Sequence, residues 1–195
     1  MELLHLNVGR LQTNCYVVWA QGSQTCAVID PGDEAERIIQ NVEQKGLTVE
    51  AVLLTHGHFD HVGGVKKLHQ LTNCKVYMNI KELALPEQLT AGSLFYTHTY
   101  TQGDTVTAGG VTFRVLETPG HSEGSVCLLC DQTIFSGDTL FAGSCGRTDL
   151  PTGSWSTINR SLRQLAQLPG EYTVYPGHGP ATTMNEEREY NPYMS

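Results

Sequence analysis

Positive charge is scarce in this chain. Twelve lysines and arginines stand against 20 aspartates and glutamates, a formal net charge of −8. Proteins that hold nucleic acid present a basic face to the phosphates, so no nucleic-acid partner is expected. Long apolar runs are also missing, and with them any segment able to cross a bilayer. Met1 to Arg10 has neither a basic start nor a long apolar core, so no signal peptide is read there. The six cysteines, Cys15, Cys26, Cys74, Cys127, Cys130 and Cys145, lie mostly inside apolar segments. They form no disulfide framework, which suits a reducing cytoplasm. No linker, low-complexity tract or second core interrupts the 195 residues. A single domain over 1–195 is expected, with 39% hydrophobic and 16% charged residues as in a soluble globular protein.

What is present is a dense alternation of strands and helices. Leu3 to Val8, Asn14 to Ala20 and Gln24 to Ile29 read as strands, and Asp30-Pro31-Gly32-Asp33 as a turn. Ala35 to Lys45 has helical spacing at Ile38, Ile39 and Val42, and Gly46 stops it. Val49 to Leu54 is a buried strand. Val62 to Leu71 is a helix with Val65, Leu68 and Leu71 on its inner face. After the strand Lys75 to Met78, residues 80–104 read as irregular, with a helical turn near Lys81 to Leu85. A connection this long suits a lid over a site. Gly109-Gly110 and Asp131-Gln132 mark two hairpins. Ser154 to Leu168 is an amphipathic helix facing inward with Ile158, Leu162, Leu165 and Leu168. Tyr172 to Tyr175 is a strand, and Thr183 with Glu186 forms a capping box for the last helix. Cys127 and Cys130 have redox spacing, but three residues apart on a strand they face opposite ways and read as core. The tail Tyr190-Asn191-Pro192-Tyr193 packs across the site or into a subunit contact; the sequence leaves both open.

The chemistry concentrates in Thr55-His56-Gly57-His58-Phe59-Asp60-His61, straight after the strand ending at Leu54. In extended chain His56, His58 and Asp60 share one side. Three imidazoles and a carboxylate this close cost free energy unless a divalent metal holds them, zinc first among candidates. Three further candidates follow strands and sit beside glycine: His121 in Pro119-Gly120-His121, Asp138 in Gly137-Asp138, and His178 in Gly177-His178. Singly, Asp138 reads equally well as a turn residue and the two histidines as surface residues. As a set with the first cluster, coincidence is implausible. Asp30 and Thr55 read either as turn and strand end or as partners of ligating imidazoles.

The motif series His-x-His-x-Asp-His, Gly-His, Gly-Asp, Gly-His resembles the metallo-β-lactamase-fold hydrolases over nearly the whole chain. It is most similar to the type II glyoxalases (hydroxyacylglutathione hydrolases) and their short stand-alone relatives. The resemblance implies an α+β fold, a four-layer αββα sandwich with two metals at one edge. It implies two divalent ions per chain, zinc first, with iron or manganese as alternatives. It assigns His56, His58 and His121 to one metal, Asp60, His61 and His178 to the other, and Asp138 to both. The implied activity is hydrolysis of an acyl thioester such as S-lactoylglutathione by a hydroxide shared between the metals, with Asp60 orienting it and accepting its proton. A small-molecule thioester is the expected partner, with no nucleic acid and no membrane. A thiolate departs with little acid assistance, since a free thiol has a pKa of about 8.5.

Departures from the family bear on substrate. Asp138 stands where the best-known zinc β-lactamases carry Cys, which disfavours antibiotic hydrolysis. The sequence ends at Ser195, and the helical domain with which the longer glyoxalases grip glutathione is not expected here. Gly177-His178-Gly179-Pro180 lacks the tyrosine those enzymes place after the last ligand. Arg147 aligns with a family lysine that contacts a glutathione carboxylate, and it reads as a substrate-binding residue or as a solvated loop residue. Cys145-Gly146-Arg147-Thr148-Asp149 is also similar to a run in persulfide dioxygenases, which use one iron. That oxidoreductase activity is the alternative expectation.

Overall fold

The computed structural model describes residues 1–194. Ser195, the last residue of the expected domain, lies outside them. In chain order the elements are β1 (Glu2–Val8), β2 (Thr13–Trp19), β3 (Thr25–Ile29), α1 (Ala35–Gln44), β4 (Thr48–Leu53), α2 (Phe59–Val62), α3 (Val65–Thr72) and β5 (Lys75–Asn79). A 3₁₀ turn (Ile80–Ala84) leads to α4 (Glu87–Thr90) and β6 (His98–Tyr100). The second half holds β7 (Thr105–Ala108), β8 (Val111–Glu117), β9 (Val126–Cys130), β10 (Thr133–Gly137), β11 (Leu140–Phe141), β12 (Ser144–Cys145), α5 (Trp155–Ala166), β13 (Thr173–Pro176), β14 (Thr182–Thr183) and α6 (Met184–Tyr190).

Each half supplies one six-stranded mixed sheet. The first has the order β1-β2-β3-β4-β5-β6, and the second β14-β13-β10-β9-β8-β7. The alternation of side chains along each strand builds three apolar layers from these two sheets. Tyr16, Val18, Ile29 and Leu53 of the first sheet meet Phe113, Val115, Leu128 and Phe135 of the second. The opposite face of the first sheet, Val17, Val28, Val52 and Val76, packs on Ile38 and Val42 of α1 and on Val65 and Leu68 of α3. The outer face of the second, Cys127, Leu129, Ile134 and Val174, packs on Ile158, Leu162 and Leu165 of α5 and on Met184 of α6. The result is helix, sheet, sheet, helix: the αββα sandwich. Cys127 and Cys130 fall in different layers, as strand parity requires.

Three local expectations change. Leu71 is 51% exposed, not part of the inner face of α3. Two successive steps of three residues carry it well round the helix from Val65, so the apolar stripe ends at Leu68. The stretch 80–104 is more ordered than its composition suggests. It contributes β6, a three-residue edge strand parallel to β5, too short for a periodic signal. The tail packs on its own chain: Asn191 Nδ2 donates to the Ser144 carbonyl at 3.0 Å, and Tyr193 meets Trp155 edge to face. No helix among the described residues is long and apolar enough to cross a membrane.

Candidate metal centre

Strands β8, β10 and β13 run in the same direction within the second sheet. Their C-terminal ends therefore share one edge, and there the chain carries His121, Asp138 and His178. The end of β4 meets this edge from the first sheet, where the Val126 amide donates to the Thr55 carbonyl at 2.9 Å. Gly137 makes the approach possible. Its φ is +49°, and a Cβ there would lie 2.3 Å from Thr55 Oγ1. The loop after β4 brings His56 and His58, and α2 brings Asp60 and His61. All seven residues read from the sequence meet at this edge.

Two groups form. The ligand atoms of His56, His58 and His121 lie within 4.8 Å of one another, and so do those of Asp60, His61 and His178. His58 Nδ1 and His121 Nε2 are 2.8 Å apart, and His61 Nε2 and His178 Nε2 are 3.3 Å apart. Asp138 touches both groups, 3.6 Å from His121 Nε2 through Oδ2 and 3.4 Å from His61 Nε2 through Oδ1.

The partners behind the imidazoles fix which nitrogen faces inward. Thr55 Oγ1 donates to Asp30 Oδ2 at 2.5 Å, so its oxygen is left to accept from His56 Nδ1 at 3.2 Å. The His56 Nε2 lone pair then points into the site, buried and without a hydrogen-bond partner. His61 Nδ1 donates to Asp30 Oδ2 at 3.0 Å, and His121 Nδ1 donates to the Arg147 carbonyl at 2.8 Å. Both rings are thereby also set to offer Nε2 inward. Asp30 and Thr55 thus serve the imidazoles, the second of the two readings the sequence left open. Asp138 Oδ1 is likewise buried without a partner, and His58 faces the group through Nδ1. Converging buried lone pairs and carboxylates of this kind fit divalent cations with nitrogen and oxygen ligands.

The protonation behaviour tells the same story. Burial, with His61 and its fellow imidazoles, holds His56 well below the ordinary histidine range. Burial and the neighbouring His121 lower His58 to about 3. Burial also opposes a charge on His61, but Asp138 and Asp30 outweigh it and raise this residue to about 9. Burial pushes the Asp60 carboxyl up, yet the His178 hydrogen bond and His61 overcome it and leave Asp60 strongly acidic. Without a cation, then, one group sheds protons and the carboxylate-rich group retains them. A metal would replace those protons.

The centre opens into a cavity of about 460 Å³. Leu11, Phe59, Leu89, Phe141 and Leu150 give it apolar walls, and Cys145 and Arg147 lie at its side. Leu89 comes from the long connection, which covers part of the site as a lid would. Arg147 is 61% exposed and bound to Asp149 twice, Nε to Oδ1 at 2.8 Å and NH2 to Oδ2 at 2.7 Å. Asp149 takes the Nε and NH2 edge, so a substrate carboxylate would meet the remaining NH1 and NH2 donors.

Sequence reading missed several supports. Thr13 Oγ1 donates to Asp60 Oδ2 at 3.1 Å. Asn14 Nδ2 donates to the carbonyls of Pro176 and Gly179, both at 2.9 Å, and steadies the His178 loop. The signal available was two polar residues opening an otherwise apolar strand. Glu82, fully buried beneath the His56–His58 loop, gave no sequence signal.

The family model of the metallo-beta-lactamase superfamily matches residues 8–178. The chain belongs to this superfamily. Hydroxyacylglutathione hydrolase GloC of Haemophilus influenzae is 34% identical over 210 residues, covering 100% of this chain and 99% of that one. Among solved structures, the B3 metallo-beta-lactamase BLEG-1 superposes with a TM-score of 0.90 at 33% identity, covering all of both chains. The di-iron-bound form of TTHA1623 gives 0.87 at 37% identity, with 97% of this chain and 99% of that chain covered. ETHE1 from Myxococcus xanthus gives 0.87 at 31%, with 98% and 84% covered. This superfamily member is a metallo-hydrolase by family, with histidine and aspartate groups fit for divalent metals.

Proposed function

We propose that this metallo-hydrolase binds two divalent ions and hydrolyses acyl thioesters in the manner of a type II glyoxalase, S-lactoylglutathione being the first substrate to try. The observation that carries this reading is the pair of three-residue groups joined by Asp138. His56, His58 and His121 would hold one ion, Asp60, His61 and His178 the other, with Asp138 between them. Divalent cations there lower the pKa of a water toward neutrality and polarise a carbonyl oxygen. The protein's own part is positional. Asp30 and the Arg147 carbonyl lock the rings of His61 and His121. Asp60, steadied by the hydroxyl of Thr13, lines the cavity, where its carboxylate would orient the attacking water and accept its proton. The apolar walls shield the acyl carbon from bulk water. They include no group suited to protonate an amine, whereas a thiolate with a free-thiol pKa of about 8.5 needs little acid to leave.

The likeness to GloC supports the thioester reading. The run Cys145 to Asp149 favours a second one, a persulfide dioxygenase-like oxidation on a single iron. One experiment separates them. Protein loaded with zinc, iron or manganese is analysed for metal and assayed against thioesters, glutathione persulfide and β-lactams. Two equivalents of metal and thioester hydrolysis are expected, with Asp60→Asn slowed by about 10²-fold or more while its circular dichroism is unchanged. One iron with oxygen consumption on the persulfide supports the second reading. No thioester turnover with any metal overturns the first.

A further inference from the structure

Glu82 sits on the 3₁₀ turn Ile80–Ala84, packed beneath the metal-binding edge, with its side chain wholly out of solvent. No lysine, arginine or histidine pairs with it among the described residues. An ionised carboxylate in such a place is costly unless hydrogen bonds replace its water. Here three donors do so. Oε2 accepts from the Gly57 amide at 2.5 Å. Oε1 accepts from the Gly124 amide and from Ser122 Oγ, both at 2.7 Å. Ser122 Oγ is in turn 2.6 Å from Ser125 Oγ.

The location of those donors gives the carboxylate a role. Gly57 lies between His56 and His58, and Ser122 follows His121. One side chain therefore joins the backbones that carry all three members of the first ligand group, although these are 63 residues apart for His58 and His121. The approach is close on both sides: a Cβ on Gly57 would lie 2.9 Å from Oε2, and one on Gly124 2.6 Å from Oε1. Among the described residues, no hydrogen bond or ion pair joins Glu82 to Asp60, His61 or His178. A residue serving packing alone would be met as well by an apolar side chain of that size.

Accepting the metal-ligand reading given above, we infer that Glu82 is a positioning residue that clamps the His56–His58 loop to the His121 loop and so selectively tunes the first of the two metal positions. Glu82→Gln keeps the shape but turns an amide NH₂ toward one of three N–H or O–H donors. Ser122→Ala removes one of the three bonds and leaves the carboxylate.

The test is a zinc titration against a chromophoric chelator, on metal-free wild type and on both variants. In Glu82→Gln one of two zinc equivalents should weaken by about 10- to 100-fold, the other holding within about threefold. Ser122→Ala should weaken that same equivalent, by less. The inference is overturned if both equivalents in both variants match wild type, or if the two weaken together. Should Glu82→Gln fail to fold, Ser122→Ala decides by the same criterion. Wild-type protein that binds no zinc overturns the ligand reading itself, and this inference with it.

Discussion

At the scale of the residue, the site is governed by which nitrogen each imidazole turns inward. Asp30 is the key to that choice, because its carboxylate holds His61 directly and His56 through Thr55. Asp30→Asn should lower zinc affinity by about 10- to 100-fold, read by chelator competition, with the larger loss at the His61 position. Protons and metal compete here, and the signs can be worked out. His61 is raised to about 9, so the stability it lends the metal-free fold is complete below its ordinary pKa of about 6.5 and is lost as pH climbs through 9. His58 is lowered to about 3, so its contribution is present above about 6.5 and is lost as pH falls toward 3. Denaturant unfolding of the metal-free chain should therefore show the site's contribution greatest near pH 6.5 and falling on both sides. Metal binding should remove the alkaline loss, because the cation then stands where the His61 proton was. A metal-free stability that keeps rising from pH 6.5 to 9 contradicts this account. The seven ligand candidates were legible in the sequence because histidine and aspartate beside glycine at strand ends form a rare pattern. Thr13, Asn14 and Glu82 were not, since their role lies in contacts with residues far along the chain.

At the scale of the element, apolar spacing located the long helices, missed the four-residue α2, where Asp60 was read as extended chain, and α4, and misjudged one face. Val65 and Leu68 are fully buried on α3, and Leu71 is half exposed. Leu68→Ala should cost about 2–5 kcal/mol in denaturant unfolding, whereas Leu71→Ser should stay within about 0.5 kcal/mol of wild type. Similar losses at both positions would show that Leu71 has a buried partner after all. The capping box at Thr183 was readable because it is local: Thr183 Oγ1 accepts from the Glu186 amide at 3.3 Å. β6, β11, β12 and β14 have two or three residues each, too few to show a period, and each is a strand only because a neighbour offers it a ladder.

At the scale of the molecule, two sheets back to back place four strand ends on one edge and leave the cysteines inside the layers. All six thiols are free, and burial pushes Cys26, Cys127 and Cys130 up to about 12. Cys145, half buried beside the cavity, is the exception in exposure. A disulfide-forming reagent should titrate one thiol per native chain and six in denaturant, and a reducing agent should leave the unfolding midpoint unchanged. Rapid reaction of two or more native thiols would show the sandwich to be looser than described. The sequence by itself determined the longer strands, the long helices and the identity of the seven metal-binding candidates, because these follow from local periodicity and from a clustering of rare side chains. Only the tertiary structure decided that Asp138 touches both groups, that Asp30 orients the rings of His56 and His61, and that Glu82 joins two loops. Those facts are distances between residues remote in the chain, and such distances exist only once the sheets have packed.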